Sequence, residues 1–280
     1  MAAGAGRDGL SADGGAMEGL SAEAIGPCAA LVERGDPDRH AAVMAAPLAV
    51  RGRLFVLYAF NLEVARAPWV TKEALIAEMR LQWWRDVVAE AGAGKPARAH
   101  EVAGPLAALI REAALPVTVL DALVEARRWD VYREPFEDQA ALEAYLEDSG
   151  AGLMWLAGRA LGAGPEGEAA LRGLGWAAGL AGFLQAVPEL EARGRQPLVD
   201  GRAEAVAALA RAGLDRIAAA KPGLKRLGAA RAATIPGWQA EGLLRLAAAE
   251  PDRVATGALQ LSEFSRRWGL LWAGFRAGVV

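Results

Sequence analysis

Residues 51–86, RGRLFVLYAFNLEVARAPWVTKEALIAEMRLQWWRD, decide the fold. They read as two helices joined at Pro68. Before the proline, Arg53, Leu54, Leu57, Tyr58, Asn61 and Leu62 recur at three-and-four spacing, the repeat of one face of an α-helix. After it, Leu75, Ile76, Met79, Trp83, Val87 and Val88 do the same. Each half is expected to turn an apolar stripe to a common core.

Composition carries this reading outward. The chain has 280 residues, 54% of them hydrophobic, enough for a sizeable core in one large domain or two ordinary ones. Runs of Val, Ile, Thr and Tyr that favour strands are almost absent, while Ala, Leu, Arg and Glu dominate. An all-α fold follows. A net charge of −3 implies no bulk attraction to nucleic acid or anionic lipid. A single cysteine, Cys28, excludes an internal disulfide and a cysteine-based zinc site, and fits a reducing compartment. Apolar runs such as Leu174–Val187 are short and glycine-rich, whereas a transmembrane helix needs about 20 apolar residues. The reading is a cytoplasmic protein without a transmembrane segment. Residues 1–20 are expected to form a disordered leader, with Met17 as an alternative start, ahead of one helical domain over 21–280.

Along the chain, Ser21–Arg34 has weak helical periodicity, and Asp36-Pro37 is a helix start with cap and first-turn proline. Pro47 ends that short helix, and the next is expected over Leu48–Arg66. Thr71 and Glu73 open the helix that carries Trp83 and Trp84, and Ala91–Pro96 is a loop. Further helices are expected near Val102–Ala114, Pro116–Tyr132, Leu142–Gly162 and Glu166–Leu190. Arg193-Gly194-Arg195-Gln196-Pro197 is a break. Gly213 is expected to stop a helix near Arg202–Ala212, before helices at Leu214–Ala220, Pro236–Ala249 and Pro251–Gly278.

Tyr58-Ala59-Phe60, Trp83-Trp84-Arg85 and a glycine-rich helix ending in Arg193-Gly194-Arg195 resemble the squalene/phytoene synthase family, over nearly the whole chain from Asp36 to Arg276. Arg51, ahead of Tyr58, suits it too. The resemblance implies a single-domain helical bundle of the isoprenoid (terpenoid) synthase type, in which two prenyl diphosphates are joined head to head. That chemistry uses two Asp-x-x-x-Asp motifs on facing helices. Residues four apart share a helix face, so each motif offers two carboxylates to Mg²⁺, which prefers oxygen ligands and bridges substrate phosphates. Here the first motif falls on Ala65-Arg66-Ala67-Pro68-Trp69 and the second on Ala186-Val187-Pro188-Glu189-Leu190. Ala65, Trp69, Ala186 and Leu190 replace the four aspartates, only Glu189 remains acidic, and Pro68 and Pro188 are expected to disturb the turns that present the ligands.

Within that family, Ala59–Ala65, Arg80–Trp84 and Ala186-Val187-Pro188 resemble the non-catalytic branch typified by mitochondrial complex I assembly factor 6, with Asn61 and Glu63 as the best local signature. Leu198-Val199-Asp200 departs from the family's usual Leu-Pro. The branch implies no catalytic residue, no metal and no cofactor. It implies as partner a respiratory-complex subunit or assembly intermediate of NADH dehydrogenase, and so attachment at the inner membrane surface as a variant of the cytoplasmic reading. Two alternatives stand beside it: a working head-to-head prenyltransferase using Mg²⁺, and an isoprenoid- or lipid-binding protein. Tyr58, Asn61, Arg66, Trp69, Arg80, Trp84, Gly182 and Glu189 are the candidate pocket residues.

Most other conspicuous residues have plainer readings. Tryptophans among leucines at helical spacing are core residues, Trp69 excepted, which by resemblance faces the cavity. His40 and His100 lack companions at metal-ligand spacing. Arg80 and Arg85 are read as pairing with carboxylates such as Glu63 or Asp86, the other option being an anionic headgroup. Arg266, Arg267 and Arg276 interleave with Trp268, Trp272 and Phe275. The expectation is a packed terminal helix with a solvated arginine face, the alternative an amphipathic helix on a membrane or partner.

Overall fold

The computed structural model describes residues 20–278, so the leader proposed for residues 1–20 lies almost wholly outside the described residues. Among these, the chain is all-helical, without strands. The first half holds α1 (Ala22–Gly35), α2 (Pro37–Met44), α3 (Leu48–Arg66), α4 (Ala74–Gly92), α5 (Ala103–Glu112), α6 (Val117–Ala126) and α7 (Arg128–Val131). The second holds α8 (Gln139–Leu146), α9 (Gly152–Ala160), α10 (Glu168–Ala192), α11 (Ala203–Leu224), α12 (Ala240–Ala249), α13 (Asp252–Ala255) and α14 (Glu263–Arg276). One continuous apolar core joins them.

Local chemistry sets many boundaries. Ser21 caps α1, and Asp36 caps α2 by accepting from the Arg39 amide at 2.9 Å. Pro47 precedes α3, which spans the expected residues and ends before Pro68. Its burial is broader than a stripe: every residue from Leu54 to Asn61 is buried, the signature of a helix enclosed on all sides. On α4 the expected stripe is partly displaced. Leu75, Ile76 and Met79 are exposed, Val87 and Val88 are buried as expected, and the rest of the inward face is Ala77, Leu81, Trp84 and Ala91. Alanine supplies two of those positions and gives a weak apolar signal.

Two expected interruptions do not occur, and two unexpected ones do. Helix α10 runs through Pro188, held by α11, α12 and α13 around it, although an interior proline forfeits a backbone bond at about 3 kcal/mol. Helix α11 runs through Gly213, making one helix of the two expected. A Cβ there would lie 2.8 Å from Leu244 Cδ1 and 3.2 Å from Leu180 Cδ2, so this glycine serves close helix packing. Conversely, the segment after Pro116 breaks at Arg127, and the C-terminal segment breaks between α13 and α14. Between α8 and α9, Glu147–Ala151 widens into a π-helical turn.

Candidate functional site

A cavity of about 360 Å³ opens between α3, the π-helical turn and α10. Close packing on its floor fixes the spacing. An added Cβ on Gly175 would stand 2.7 Å from both the Gly150 carbonyl oxygen and Met154 Cβ. Gly150 in turn approaches Gly179, where a Cβ would meet that residue's Cα at 2.9 Å. Only glycine lets α10 and the π-helical turn come this near. The turn also brings Ser149 to the cavity wall, its hydroxyl donating to the Tyr145 carbonyl.

Of the expected site residues, Tyr58, Asn61, Ala65, Trp69, Gly182, Ala186 and Leu190 line this one cavity. The two segments singled out on α3 and α10 therefore do face each other. Arg66, Arg80, Trp84 and Glu189 do not line it. Arg66 and Arg80 project to solvent. Trp84 is buried in the core, edge-on to Phe60 and Trp83. Glu189 is exposed and pairs with Arg193 one turn on. Arg193 lies over the Trp69 ring, 4.6 Å from its centroid. Trp69 thus sits at the cavity edge, 38% exposed, beneath a cation rather than sealed in the interior.

The polar side of the cavity comes from residues that periodicity passed over. Arg127 donates to the Tyr145 hydroxyl at 2.7 Å, and that hydroxyl donates to Asp130 Oδ2 at 3.1 Å. Arg127 also reaches Asp130 at 3.4 Å. Arg195 donates to the backbone carbonyls of Asp130 and Trp129, and its guanidinium lies 4.1 Å from the Trp129 ring centroid. Burial pushes the Asp130 carboxyl above the usual carboxylate range, with the Arg127 charge and the Tyr145 bond pulling against it. Arg195 is lowered by burial. Burial raises the Tyr58 phenol to about 12, partly opposed by Arg39, whose guanidinium lies 5.0 Å from the ring centroid. Asn61 Oδ1 is buried without a hydrogen-bond partner. No spacing in the sequence signals this network, because Tyr145 stands 15 residues beyond Asp130 and on a different helix.

The other pairings also settle. Arg85 binds Asp121 and Glu125, each at 2.7 Å, instead of Glu63 or Asp86. His100 accepts from the Val102 amide, and His40 lies against Phe55. Cys28 is buried, and desolvation raises its thiol to about 11.

Residues 32–199, more than half the chain, match the family model described as squalene/phytoene synthase. The chain belongs to the squalene/phytoene synthase family. Its fold agrees with solved structures. It is similar to squalene synthase HpnC from Alicyclobacillus acidocaldarius at TM-score 0.65 and 18% identity, covering 80% of this chain and 93% of that one. It is also similar to a dehydrosqualene synthase at TM-score 0.70 and 12% identity, covering 90% of this chain and 95% of that one. No curated protein matches. The fold class is thus the isoprenoid-synthase bundle. Among the described residues, no group of three or more His, Cys, Asp or Glu side chains is placed to hold a metal ion. The cavity's one carboxylate, Asp130, is engaged by Arg127 and Tyr145. This donor set does not fit magnesium, which takes carboxylate and phosphate oxygens together. No helix among the described residues is long and apolar enough to cross a membrane.

Proposed function

We propose that the chain is a non-catalytic member of its family and acts in assembly of a membrane-bound respiratory complex, NADH dehydrogenase. One observation carries the first half. The positions that the resemblance aligns with paired aspartates are Ala65, Trp69, Ala186 and Leu190, and all four line a cavity whose single carboxylate already has partners. Two prenyl diphosphates brought together there would repel strongly without divalent cations. The cavity's two arginines each face a carboxylate at 3.4 Å, Arg127 Asp130 and Arg39 Asp36, and two guanidinium groups so paired are a poor substitute for divalent cations at two diphosphates. The assembly role is supported by the resemblance of Asn61, Glu63, Arg80–Trp84 and Ala186-Val187-Pro188 to the non-catalytic branch. The purified chain, at high concentration with magnesium and farnesyl or geranylgeranyl diphosphate, is expected to give no product. Turnover would overturn the first half. Deleting the gene is expected to lower assembled NADH dehydrogenase, and unchanged assembly would overturn the second.

A second reading, isoprenoid or lipid binding, is favoured by the cavity itself. About 360 Å³ lies within the range of small-molecule pockets. Its walls include Leu153, Met154, Phe183 and Leu190, and Asn61 Oδ1 offers an unused acceptor to a hydroxyl donor such as a prenyl alcohol. Solvent extraction of the purified chain followed by mass spectrometry is expected to release a prenyl alcohol or quinone. A preparation that releases none, and binds none when farnesol is added, would end this reading.

A further inference from the structure

The C-terminal helix is folded inside out relative to its sequence reading. Phe264, Trp268, Leu271, Trp272 and Phe275 are 50–76% exposed, and their spacing places them within one arc of about 100° on α14. The side turned to the protein carries Leu270 and, otherwise, small residues. A Cβ on Gly269 would touch the Trp238 ring at 3.2 Å, and one on Gly274 would meet the Ala45 carbonyl at 3.1 Å. Arg266 locks this orientation by pairing with Asp38, while its carbonyl accepts from Trp238 Nε1 at 3.2 Å. Gly274 seats the helix on the α2–α3 corner, where Met44 and Leu48 are also exposed, Leu48 by 80%. Arg267 and Arg276 fall at the two edges of the apolar arc.

Beside this face lies a second cavity, of about 460 Å³, between the end of α11, the 3₁₀ segment Gly228–Gly237 and α14. Trp272 and Arg276 belong to both features. Lys221, Lys225, Arg231 and Arg276 line the cavity against one acid, Glu241. Glu241 is already bridged by Lys221 at 3.2 Å and Arg245 at 2.6 Å. Burial and the charge of Arg276 both lower the Arg231 guanidinium, as two neighbouring cations would. So a chain with net charge −3 presents a local basic pocket at the margin of an aromatic face.

We propose that α14 docks this chain onto a bilayer surface containing anionic phospholipid. The Phe264–Phe275 face sits at the headgroup–acyl boundary, and Lys225, Arg231 and Arg276 receive a phosphate headgroup. An apolar arc with Trp and Phe, edged by arginines and short of the length that spans, is the pattern of a helix lying in the interface plane. A second copy is the poorer occupant. A two-fold contact would set the same patch against itself, opposing one basic pocket with another. The inference is independent of what happens in the cavity between α3 and α10.

The test is flotation of the full chain with vesicles of phosphatidylcholine, with and without phosphatidylglycerol. The chain is expected to float with the anionic vesicles and to be released by high salt. Each Lys or Arg near an anionic surface contributes about 1 kcal/mol, so Arg231→Gln/Arg276→Gln should weaken binding roughly 30-fold. Trp268→Ser/Trp272→Ser should abolish it while helical content and thermal midpoint hold, because both side chains are at the surface. Flotation unaffected by either double variant would overturn the proposal, as would none with anionic vesicles. So would a dimer that the tryptophan variant dissociates in the absence of vesicle binding.

Discussion

Helices α10 and α14 are built from the same materials and use them in opposite directions. Both combine glycines with tryptophan and phenylalanine. In α10 the glycine face meets the backbone of the π-helical turn, and Trp176 is 1% exposed, donating to the Glu143 carbonyl. In α14 the glycine face meets Trp238 and Ala45, and the aromatics point outward. The difference lies in the number of neighbours. Helix α10 is flanked by α9, α11, α12 and α13, whereas α14 rests chiefly on the Gly228–Gly237 segment and the corner before α3. Glycine marks the contact side in both. Whether an aromatic is core depends on a second layer, which α10 has and α14 lacks.

The sharpest way to break this comparison is to add one methyl group to each glycine face. In Gly175→Ala the new Cβ would fall 2.7 Å from the Gly150 carbonyl oxygen and 2.9 Å from the Ala151 Cα, atoms of backbone that cannot swing aside. Overpacking of this kind costs typically 1–3 kcal/mol, and here the upper end, about 3 kcal/mol, is expected. Gly274→Ala meets Ala45 at 3.1 Å on a helix with fewer neighbours, where a shift of a few tenths of an ångström relieves the contact. Its loss should stay below about 1 kcal/mol, helped by alanine's better helix propensity. Denaturant unfolding of both variants measures the contrast. Equal losses would mean that α14 is as firmly seated as α10.

The same contrast explains what the sequence could and could not disclose. Boundaries written in local chemistry were legible: Asp36-Pro37 opens α2, and Pro47 and Pro68 bracket α3. The facing of Ala65 and Trp69 against Ala186 and Leu190 followed from the family resemblance, and these positions do share a cavity. Features set by neighbours were not legible. Pro188 and Gly213 look like breakers, but surrounding helices keep α10 and α11 intact. The π-helical turn at Glu147–Ala151 answers the close approach of Gly175 and Gly179, distant in sequence. The Arg127–Asp130–Tyr145 network joins the α6–α7 break to α8, a contact no periodicity announces. Arg66 and Glu189 were carried with their motifs, yet a helix shows only some of five consecutive residues to one side, and these two face outward.

Titration gives a subtler way to sharpen the comparison, because the enclosed region holds a phenol that burial resists ionising and the α14 face holds none. Tyr58 is 3% exposed on α3, and its phenol is raised to about 12 from an unfolded value of about 10. Between those two values the native state keeps a proton that the unfolded chain releases. Stability must therefore fall as pH rises through this window. The contribution is intact below pH 10 and fades towards pH 12, a loss of up to about 3 kcal/mol at 1.36 kcal/mol per unit. Tyr58→Phe removes the titrating group and keeps the ring beneath Arg39. Unfolding measured from pH 9 to 12 should show the variant overtaking the wild type as alkali increases, with little separating them at neutral pH. Parallel curves would mean that the α3 side of the cavity admits water to the phenolate, and that the enclosure distinguishing it from α14 is incomplete.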